Sequence, residues 1–318
     1  MPMAADGFLN LLKAPGMTSH DMVAWVRARL GVRRVGHLGT LDPAAAGVLP
    51  IAIGRATRLF RFAGGPDKAY RAEVVFGVAT DSLDAEGRVV EVSDSSALTE
   101  EKVRELLLGF VGEIEQTPPA FSAAHVGGKR LYEAARRGSP ASGGQAQTGR
   151  PRRVRIVELE LVDFAPGRAA RALIDVVCEA GTYVRVLAED LGKAAGCGAF
   201  LGFLVRTRAG RFELSEALTR EEFEAACEQQ MEDKVMLPMD WPLAHLPAVE
   251  LSQAGARNFV QGSRVLAAGA LGWPVRVYGE DGVFLGLGEM AGDLPAGGQA
   301  GSQLRPRVVL AGVMEGER

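Results

Sequence analysis

Apolar positions spaced three and four residues apart predict amphipathic helices in several parts of the chain. In TSHDMVAWVRARLG, the pattern predicts a helix that begins after Thr18, forms a capping box with Asp21 and ends at Gly31. ALTEEKVRELLLGFVG and TREEFEAACEQQ show the same spacing, with Thr99 and Thr219 as the expected N-caps. These three helices are therefore predicted with defined starts.

Runs of β-branched and alternating apolar residues predict strands between the helices. LPIAIG is typical of a short buried strand, and AEVVFGVATD and VRIVELELVDF are typical of longer ones. RALIDVVCEAGTYVRVLAEDLGKAAGCG reads as a strand, a glycine break and a helix from about Val184. Strands and helices do not alternate regularly, which favours an α+β fold over a parallel α/β fold.

The pattern changes after LPMDWPLAHLP, close to Leu246. The remainder is glycine-rich and contains short strand-like runs, WPVRVYG, GVFLGLGEM and RPRVVL. We therefore expect two domains, residues 1–245 and a small β-rich domain at 246–318. Within the first domain, residues 138–153 are rich in glycine, serine and glutamine and end in arginines, so they predict a mobile basic loop or a plain surface excursion.

Composition narrows the functional classes. Of the 318 residues, 47% are hydrophobic and 24% charged, as in ordinary folded proteins. The 3 cysteines and 4 histidines show neither disulfide nor metal-ligand spacing, so no metal site is expected. With no membrane-length apolar run and no signal-peptide pattern at the start, the expectation is a cytoplasmic protein.

The net charge of −3 conceals an uneven distribution. The chain up to Phe212 contains 28 basic and 23 acidic residues, whereas the rest contains 8 and 16. Arginines cluster at 27–34, 55–61, 150–155 and 206–211. Such clusters can be solvated faces, but several together favour a polyanionic partner.

Candidate chemistry centres on GHLGTLDPAAAGVLP. Its single carboxylate, Asp42, precedes Pro43, an arrangement that suits a helix N-cap. The surrounding glycines and alanines also suit a nucleophile that a bulky substrate must reach, although the stretch alone favours the helix cap. His37, in the same stretch, is either a hydrogen-bonded loop histidine or a site residue.

This stretch resembles the GHTGTLDPLATGVLP motif of the TruB family, the bacterial tRNA pseudouridine-55 synthases. Four further segments resemble that family's motifs in the same order: LLKAPGMTSHDMV, DKAYRAEVVFGVATDSLDAEG, QTPPAFSAAHVGGKRLYEAARRG and CEAGTYVRVLAEDLGKAAGCGAFLGFLVRTRAGRF. The resemblance implies a catalytic domain with a mixed, largely antiparallel sheet flanked by helices, followed by a PUA-type RNA-binding domain.

The resemblance also implies roles for individual residues. Asp42 matches the family's catalytic aspartate, Tyr70 its active-site tyrosine and Arg185 the arginine that pairs with the aspartate. Four more positions match residues around the target nucleotide: His37, Tyr183, Leu204 and Lys13. A free aspartate has a pKa of about 3.9 and is ionised at neutral pH. Burial would favour the neutral form of the carboxyl group, and a permanently charged arginine would offset that desolvation.

The implied reaction isomerises uridine 55 in the T-loop of tRNA, acting on a flipped-out base without a cofactor. A monomer acting on the T-arm of bare tRNA is expected. The alternatives are a guide-RNA-dependent relative and an RNA-binding or tRNA-folding protein.

Six positions depart from the family pattern without replacing a candidate catalytic residue. They are Ala14, Leu38, Ala44, Ala46, Phe121 and His125.

Overall fold

The computed structural model describes residues 6–119, 150–268, 272–291 and 302–310, with the backbone alone at 125–126 and 129–130. The helices are α1 (Ser19–Leu30), α2 (Phe60–Ala63), α3 (Glu100–Leu108), α4 (Val184–Ala195), α5 (Arg220–Glu228), α6 (Glu232–Val235) and α7 (Gln253–Val260). Within those ranges, no helix combines the length and apolar character that crossing a bilayer requires.

The strands form two main sheets and two short hairpins. They are β1 (Gly7–Lys13), β2 (Val35–His37), β3 (Ala46–Ile53), β4 (Asp67–Phe76), β5 (Val78–Thr80), β6 (Val89–Val92), β7 (Gly112–Gln116), β8 (His125–Val126), β9 (Lys129–Arg130), β10 (Arg152–Ala165), β11 (Arg171–Glu179), β12 (Ala199–Ala209), β13 (Phe212–Glu213), β14 (Ala248–Leu251), β15 (Val265–Ala267), β16 (Gly272–Gly279), β17 (Phe284–Ala291) and β18 (Ser302–Val309).

The large sheet has the order β1-β3-β12-β4-β11-β10-β7, with β2 paired to β3 and β13 to β12. Its strand pairs are antiparallel except β12 with β3, which run parallel. The second sheet has the order β14-β16-β17-β18-β15. The prediction of an α+β fold with a mixed, largely antiparallel sheet and a β-rich C-terminal part is therefore confirmed.

The predicted helix caps are also confirmed. Thr18 and Asp21 form both hydrogen bonds of a capping box, and Gly31 ends α1 in the left-handed conformation. Thr99 accepts a hydrogen bond from the Lys102 amide at the start of α3. Such caps depend only on neighbouring residues, which is why the sequence pattern is sufficient to predict them.

Packing of α4 against the sheet determines where the candidate site lies. Leu187 and Leu191, one turn apart, are fully buried in the same cluster as Ile174 and Val176 of β11. Because these leucines anchor the helix, its first turn is held close to the ends of the central strands.

The C-terminal sheet packs against the large sheet partly through two of the clustered arginines. Arg55 and Arg58 donate hydrogen bonds to the backbone carbonyls of Leu310 and Val309. Phe62 and Trp273 make an edge-on contact with ring centroids 5.3 Å apart. Arg55 and Arg58 therefore contribute to the contact with the C-terminal sheet, while both side chains stay exposed, and the polyanion interpretation of their cluster stays a prediction. The domain boundary at residues 245 and 246 stays a prediction.

The predicted mobile loop covers residues 138–153, and its residues 138–149 lie outside the described residues. Its last two residues, Arg152 and Arg153, are the first residues of β10 and pair with Gln116 and Glu115. For these two the loop prediction is wrong, because backbone pairing with β7 extends the strand beyond the apolar run.

Gly47 makes the close contact between β3 and β12 possible. Its φ is +113°, and a Cβ at this position would lie 2.2 Å from the Arg206 carbonyl oxygen. We expect Gly47→Ala to lower the free energy of unfolding by about 3 kcal/mol, since backbone strain and steric overlap each cost on the order of 1–3 kcal/mol. Urea denaturation measures the loss.

The matched control is Gly31→Ala, which has a φ of +64° but open space around the added methyl group. It should lose only about 1 kcal/mol. Equal losses at the two positions would show that the β3–β12 contact relaxes around the methyl group.

Candidate active site

A cavity of about 360 Å³ lies where the loop before β3, the strands β4 and β12 and the first turn of α4 meet. Five of the seven predicted site residues line it: Asp42, Tyr70, Tyr183, Arg185 and Leu204. These residues come from distant parts of the chain, and the sheet order brings them together. His37 and Lys13 are not part of the lining.

Asp42 does not cap a helix. Its carbonyl accepts a hydrogen bond from the Ala45 amide at 3.1 Å, which closes a turn, and β3 follows directly. The helix-cap alternative is therefore wrong. The buried apolar run that follows pairs along its length with β1, which favours a strand over a helix.

The Asp42 carboxylate pairs with Arg185. Arg185 Nε lies 3.0 Å from Asp42 Oδ2, and the arginine side chain is 7% exposed whereas that of Asp42 is 43% exposed. The guanidinium is thus fixed inside the protein, and the carboxylate keeps a free approach from the cavity. This arrangement matches the requirements for a carboxylate that acts on a bound molecule.

A second carboxylate holds the other side of the guanidinium. Asp84 Oδ2 lies 3.3 Å from Arg185 Nη1, with the Asp84 side chain 13% exposed. The Ser82 carbonyl accepts from the same nitrogen at 3.3 Å. Asp84 was not among the predicted site residues, although it lies in the TDSLDAEG part of a matched motif. The arginine is therefore oriented from two directions.

Lys13 lies beneath the loop rather than in the cavity. It is fully buried, and its Nζ donates to the carbonyls of Ala14, Pro43 and Ala45 at 3.0, 3.1 and 2.6 Å. The predicted RNA contact at Lys13 therefore does not match its position, because the ammonium is enclosed by backbone. Lys13 therefore supports the backbone of the residues that follow Asp42.

Arg206 and Ser19 hold residues that precede Asp42, and Arg206 also binds Val48 after it. Arg206, fully buried, donates to the carbonyls of Val48, Thr40 and Gly39 at 2.7, 3.4 and 3.1 Å. The Ser19 hydroxyl donates to the Leu41 carbonyl at 3.0 Å and accepts from the Leu41 amide at 2.8 Å. Neither residue was predicted to support the site, and Arg206 had been grouped with arginines expected at a polyanion interface.

Tyr70 is buried in the cavity wall, 8% exposed. Burial raises the pKa of its phenol, although the neighbouring Arg206 guanidinium, which donates a hydrogen bond to it, acts in the opposite direction. The phenol is therefore neutral at physiological pH and offers a fixed aromatic face with a polar edge.

Tyr183 is held by residues that sequence reasoning missed. Its amide donates to the Gln116 side chain at 2.9 Å, and its carbonyl accepts from that side chain at 3.2 Å. The Arg152 guanidinium carbon lies 4.7 Å from the centre of the Tyr183 ring. Arg152 also lines the cavity, so one of the clustered arginines does face the site.

His37 lies in β2, adjacent to this loop. Burial lowers the pKa of its imidazole, and nearby Arg206 acts in the same direction, whereas a hydrogen bond at the Gly39 backbone opposes it. Its Nδ1 is enclosed without a hydrogen-bond partner among the described residues. The neutral imidazole is therefore favoured.

The described part of the chain contains no cluster of histidine, cysteine, aspartate and glutamate side chains that could hold a metal ion.

Burial of Lys13 predicts a pH dependence of stability. Desolvation is the main cause that lowers the pKa of Lys13 from 10.5 to about 8, while Asp42 opposes the shift. Between about pH 8 and 10.5 the unfolded chain keeps a proton that the folded chain has lost, so the contribution of Lys13 to stability rises with pH in this window.

Urea denaturation of the wild type and of Lys13→Met at pH 7.5, 9 and 10 tests this expectation. The difference in unfolding free energy should move in favour of the wild type as the pH rises. Lys102→Met, which removes an exposed lysine of α3, should show no such trend. A difference independent of pH would show that Lys13 titrates normally.

Family models match three consecutive segments of the chain. Residues 27–184 match the TruB family pseudouridylate synthase N-terminal domain, residues 185–244 the tRNA pseudouridylate synthase B C-terminal domain, and residues 247–310 the C-terminal domain of pseudouridine synthase II TruB.

Individual proteins give the same result. The chain is 52% identical over 257 residues to tRNA pseudouridine synthase B of Symbiobacterium thermophilum, covering 81% of this chain and 82% of the relative. It is 42% identical over 313 residues to the protein of that name from Gloeothece citriformis, covering 96% and 97%. Among solved structures, a Cbf5-Nop10-Gar1 complex contains a chain that is 27% identical, with a TM-score of 0.70 over 96% of this chain and 85% of that one.

The motif resemblance found in the sequence is thus confirmed by matches that span nearly the whole chain, and the chain belongs to the TruB family of pseudouridylate synthases.

Proposed function

We propose that this protein converts uridine 55 in the T-loop of tRNA to pseudouridine, with Asp42 as the catalytic nucleophile. The observation that carries the proposal is an accessible Asp42 carboxylate, 3.0 Å from a buried arginine, in the wall of a cavity. Relatives named tRNA pseudouridine synthase B that align over most of their length support tRNA as the substrate.

The reaction exchanges one glycosidic bond for another. The C1′–N1 bond of uridine breaks, the uracil turns, and a C1′–C5 bond forms, after which C5 loses its hydrogen as a proton and N1 gains one. The balance requires no oxidant or reductant. The residues must therefore supply a nucleophile, a fixed orientation for the base and shelter from water.

The cavity supplies these conditions. Arg185 keeps the carboxylate in one orientation and offsets the cost of desolvating it when substrate covers the site. Tyr70 and Leu204 present an aromatic face and an aliphatic side chain to the same space, and a planar base can pack between surfaces of this kind.

Access to Asp42 requires the target nucleotide to leave its stacked position. A carboxylate inside a cavity cannot reach a base that is stacked within an RNA loop, so the nucleotide must turn out into the protein. The small residues around Asp42 allow this approach: Gly39, Ala44, Ala45 and Gly47. We further infer that the enzyme acts as a monomer on bare tRNA in the cytoplasm, where tRNA is modified.

Tritium release from tRNA labelled at uracil C5 tests the nucleophile. We expect wild-type protein to release tritium from unmodified tRNA without guide RNA or accessory proteins, and Asp42→Asn to release none while it still binds tRNA. Asp163→Asn, a control on an exposed position of β10, should behave as the wild type.

Three results would contradict the proposal. Normal release by Asp42→Asn would remove Asp42 from the chemistry. Unchanged release from tRNA with cytidine at position 55 would remove the site assignment. Release only in the presence of a guide RNA would favour the guide-dependent alternative, and binding without any release would favour an RNA-folding role.

Arg185→Lys should lower kcat by about hundredfold, because a single ammonium cannot bridge Asp42 and Asp84 as the guanidinium fork does. The affinity for tRNA should change little. Single-turnover kinetics and filter binding separate the two quantities. Arg71→Lys, in an exposed pair with Asp175, is the matched control and should remain fully active. A rate within threefold of wild type for Arg185→Lys would place the arginine outside the reaction.

A further inference from the structure

Lys68 is a cation of the cavity for which the proposed chemistry has no role. It lies in β4, two residues before Tyr70, and lines the same space as Asp42. Alternate residues of a strand point to the same side, which is why both side chains reach this space. The side chain is half-buried, so it does not lie along the open surface of the protein.

The surroundings of Lys68 do not neutralise it. Among the described residues, no carboxylate pairs with its Nζ and no group accepts a hydrogen bond from it. Burial lowers the pKa of Lys68, and the Arg206 guanidinium, a charge of the same sign, acts in the same direction. Asp42, a carboxylate of the cavity lining, is already paired with Arg185. An unpaired, half-buried ammonium is therefore held against repulsion.

The backbone next to Lys68 leaves room for this ammonium. Gly39 has a φ of +85°, and a Cβ at that position would lie 2.9 Å from Lys68 Nζ and 3.4 Å from Arg206 Nη1. A side chain at residue 39 would push the lysine from its place. The position of the charge thus depends on a glycine in the loop that also carries Asp42.

The bound nucleotide can supply the missing anion. Uracil is neutral before reaction, whereas the nucleotide carries a phosphate on each side of its sugar. Arg152 also lines the cavity, so the wall carries two cations, Lys68 and Arg152, in addition to the Asp42–Arg185 pair. A lysine binds phosphate as a compact point charge without needing a fixed angle.

We propose that Lys68 binds one of the two phosphates attached to the target nucleotide, an inference that rests on the proposed function. Through this contact the protein would hold the nucleotide by its backbone while the base turns. Lys68 is then a binding residue, and its loss should weaken RNA affinity more than it slows the chemical step.

A combined substitution in protein and RNA tests the contact directly. T-stem-loop RNAs carry a single neutral methylphosphonate at the phosphate 5′ or 3′ of the target uridine. Binding is measured in an Asp42→Ala background at several KCl concentrations, with Lys68 intact or changed to Met. Lys102→Met, at an exposed position of α3, is the matched control.

One of the two methylphosphonates should weaken binding about tenfold when Lys68 is present and less than twofold in Lys68→Met. Lys68→Met should also reduce the slope of log affinity against log salt by about 0.7–0.9, the amount expected for one phosphate contact. Lys68→Arg, which keeps the charge, should retain most of the methylphosphonate effect. Lys102→Met should behave as the Asp42→Ala protein without it.

If the methylphosphonate weakens binding equally with and without Lys68, the inference is wrong. It is also wrong if Lys68→Met, made in the protein with Asp42 intact, binds RNA with unchanged affinity but has a slower single-turnover rate. If Lys68→Met does not fold, the two methylphosphonate RNAs are compared on the Asp42→Ala protein that keeps Lys68. A lack of effect at both phosphates then also contradicts the inference. Tritium release by the wild type from the unmodified stem-loop is measured in parallel, so that failure of the proposed function is recognised separately.

Discussion

The hydrogen bonds from two buried cations to the loop around Asp42 are the interaction on which the site depends. This loop has no strand or helix partner for several of its carbonyls, and an unpaired buried carbonyl is costly. Arg206 binds carbonyls before Asp42, and Lys13 binds carbonyls after it. The backbone is thereby fixed on both sides of one residue, and the side chain of that residue is left to face the cavity.

The cations themselves are costly to bury, and this constrains the surrounding structure. A charged group away from water needs several good acceptors, and each of these cations has three backbone carbonyls. The acceptors must therefore stay where they are, which requires the close β3–β12 contact at Gly47 and the positive φ at Gly39. The small residues of the loop thus allow the two cations to hold its backbone, and they also allow substrate to approach Asp42.

Sequence patterns predicted most helices, the longer strands and the fold class, because capping boxes and apolar periods are local. The family motifs led to Asp42, Arg185 and Tyr70, which the structure brings to one cavity. They did not predict how Lys13 and Arg206 are used, since their partners are backbone carbonyls, and no side-chain pattern marks a free carbonyl. Gln116 was missed for the same reason, because its partner is the backbone of Tyr183, 67 positions along the chain.

The second carboxylate on Arg185 has a consequence for the course of the proposed reaction. If Asp42 forms a covalent bond to substrate, as proposed, its carboxylate becomes an ester and loses its negative charge. An arginine paired with Asp42 alone would then be an isolated buried cation at the stage when the intermediate must persist. Asp84, almost as buried as the arginine, would keep the guanidinium paired through that stage. In the proposed reaction the Asp84 carboxylate would thus be a permanent counter-ion of Arg185, which would reduce the electrostatic cost of forming the intermediate and let Asp42 be released with its partner still in place.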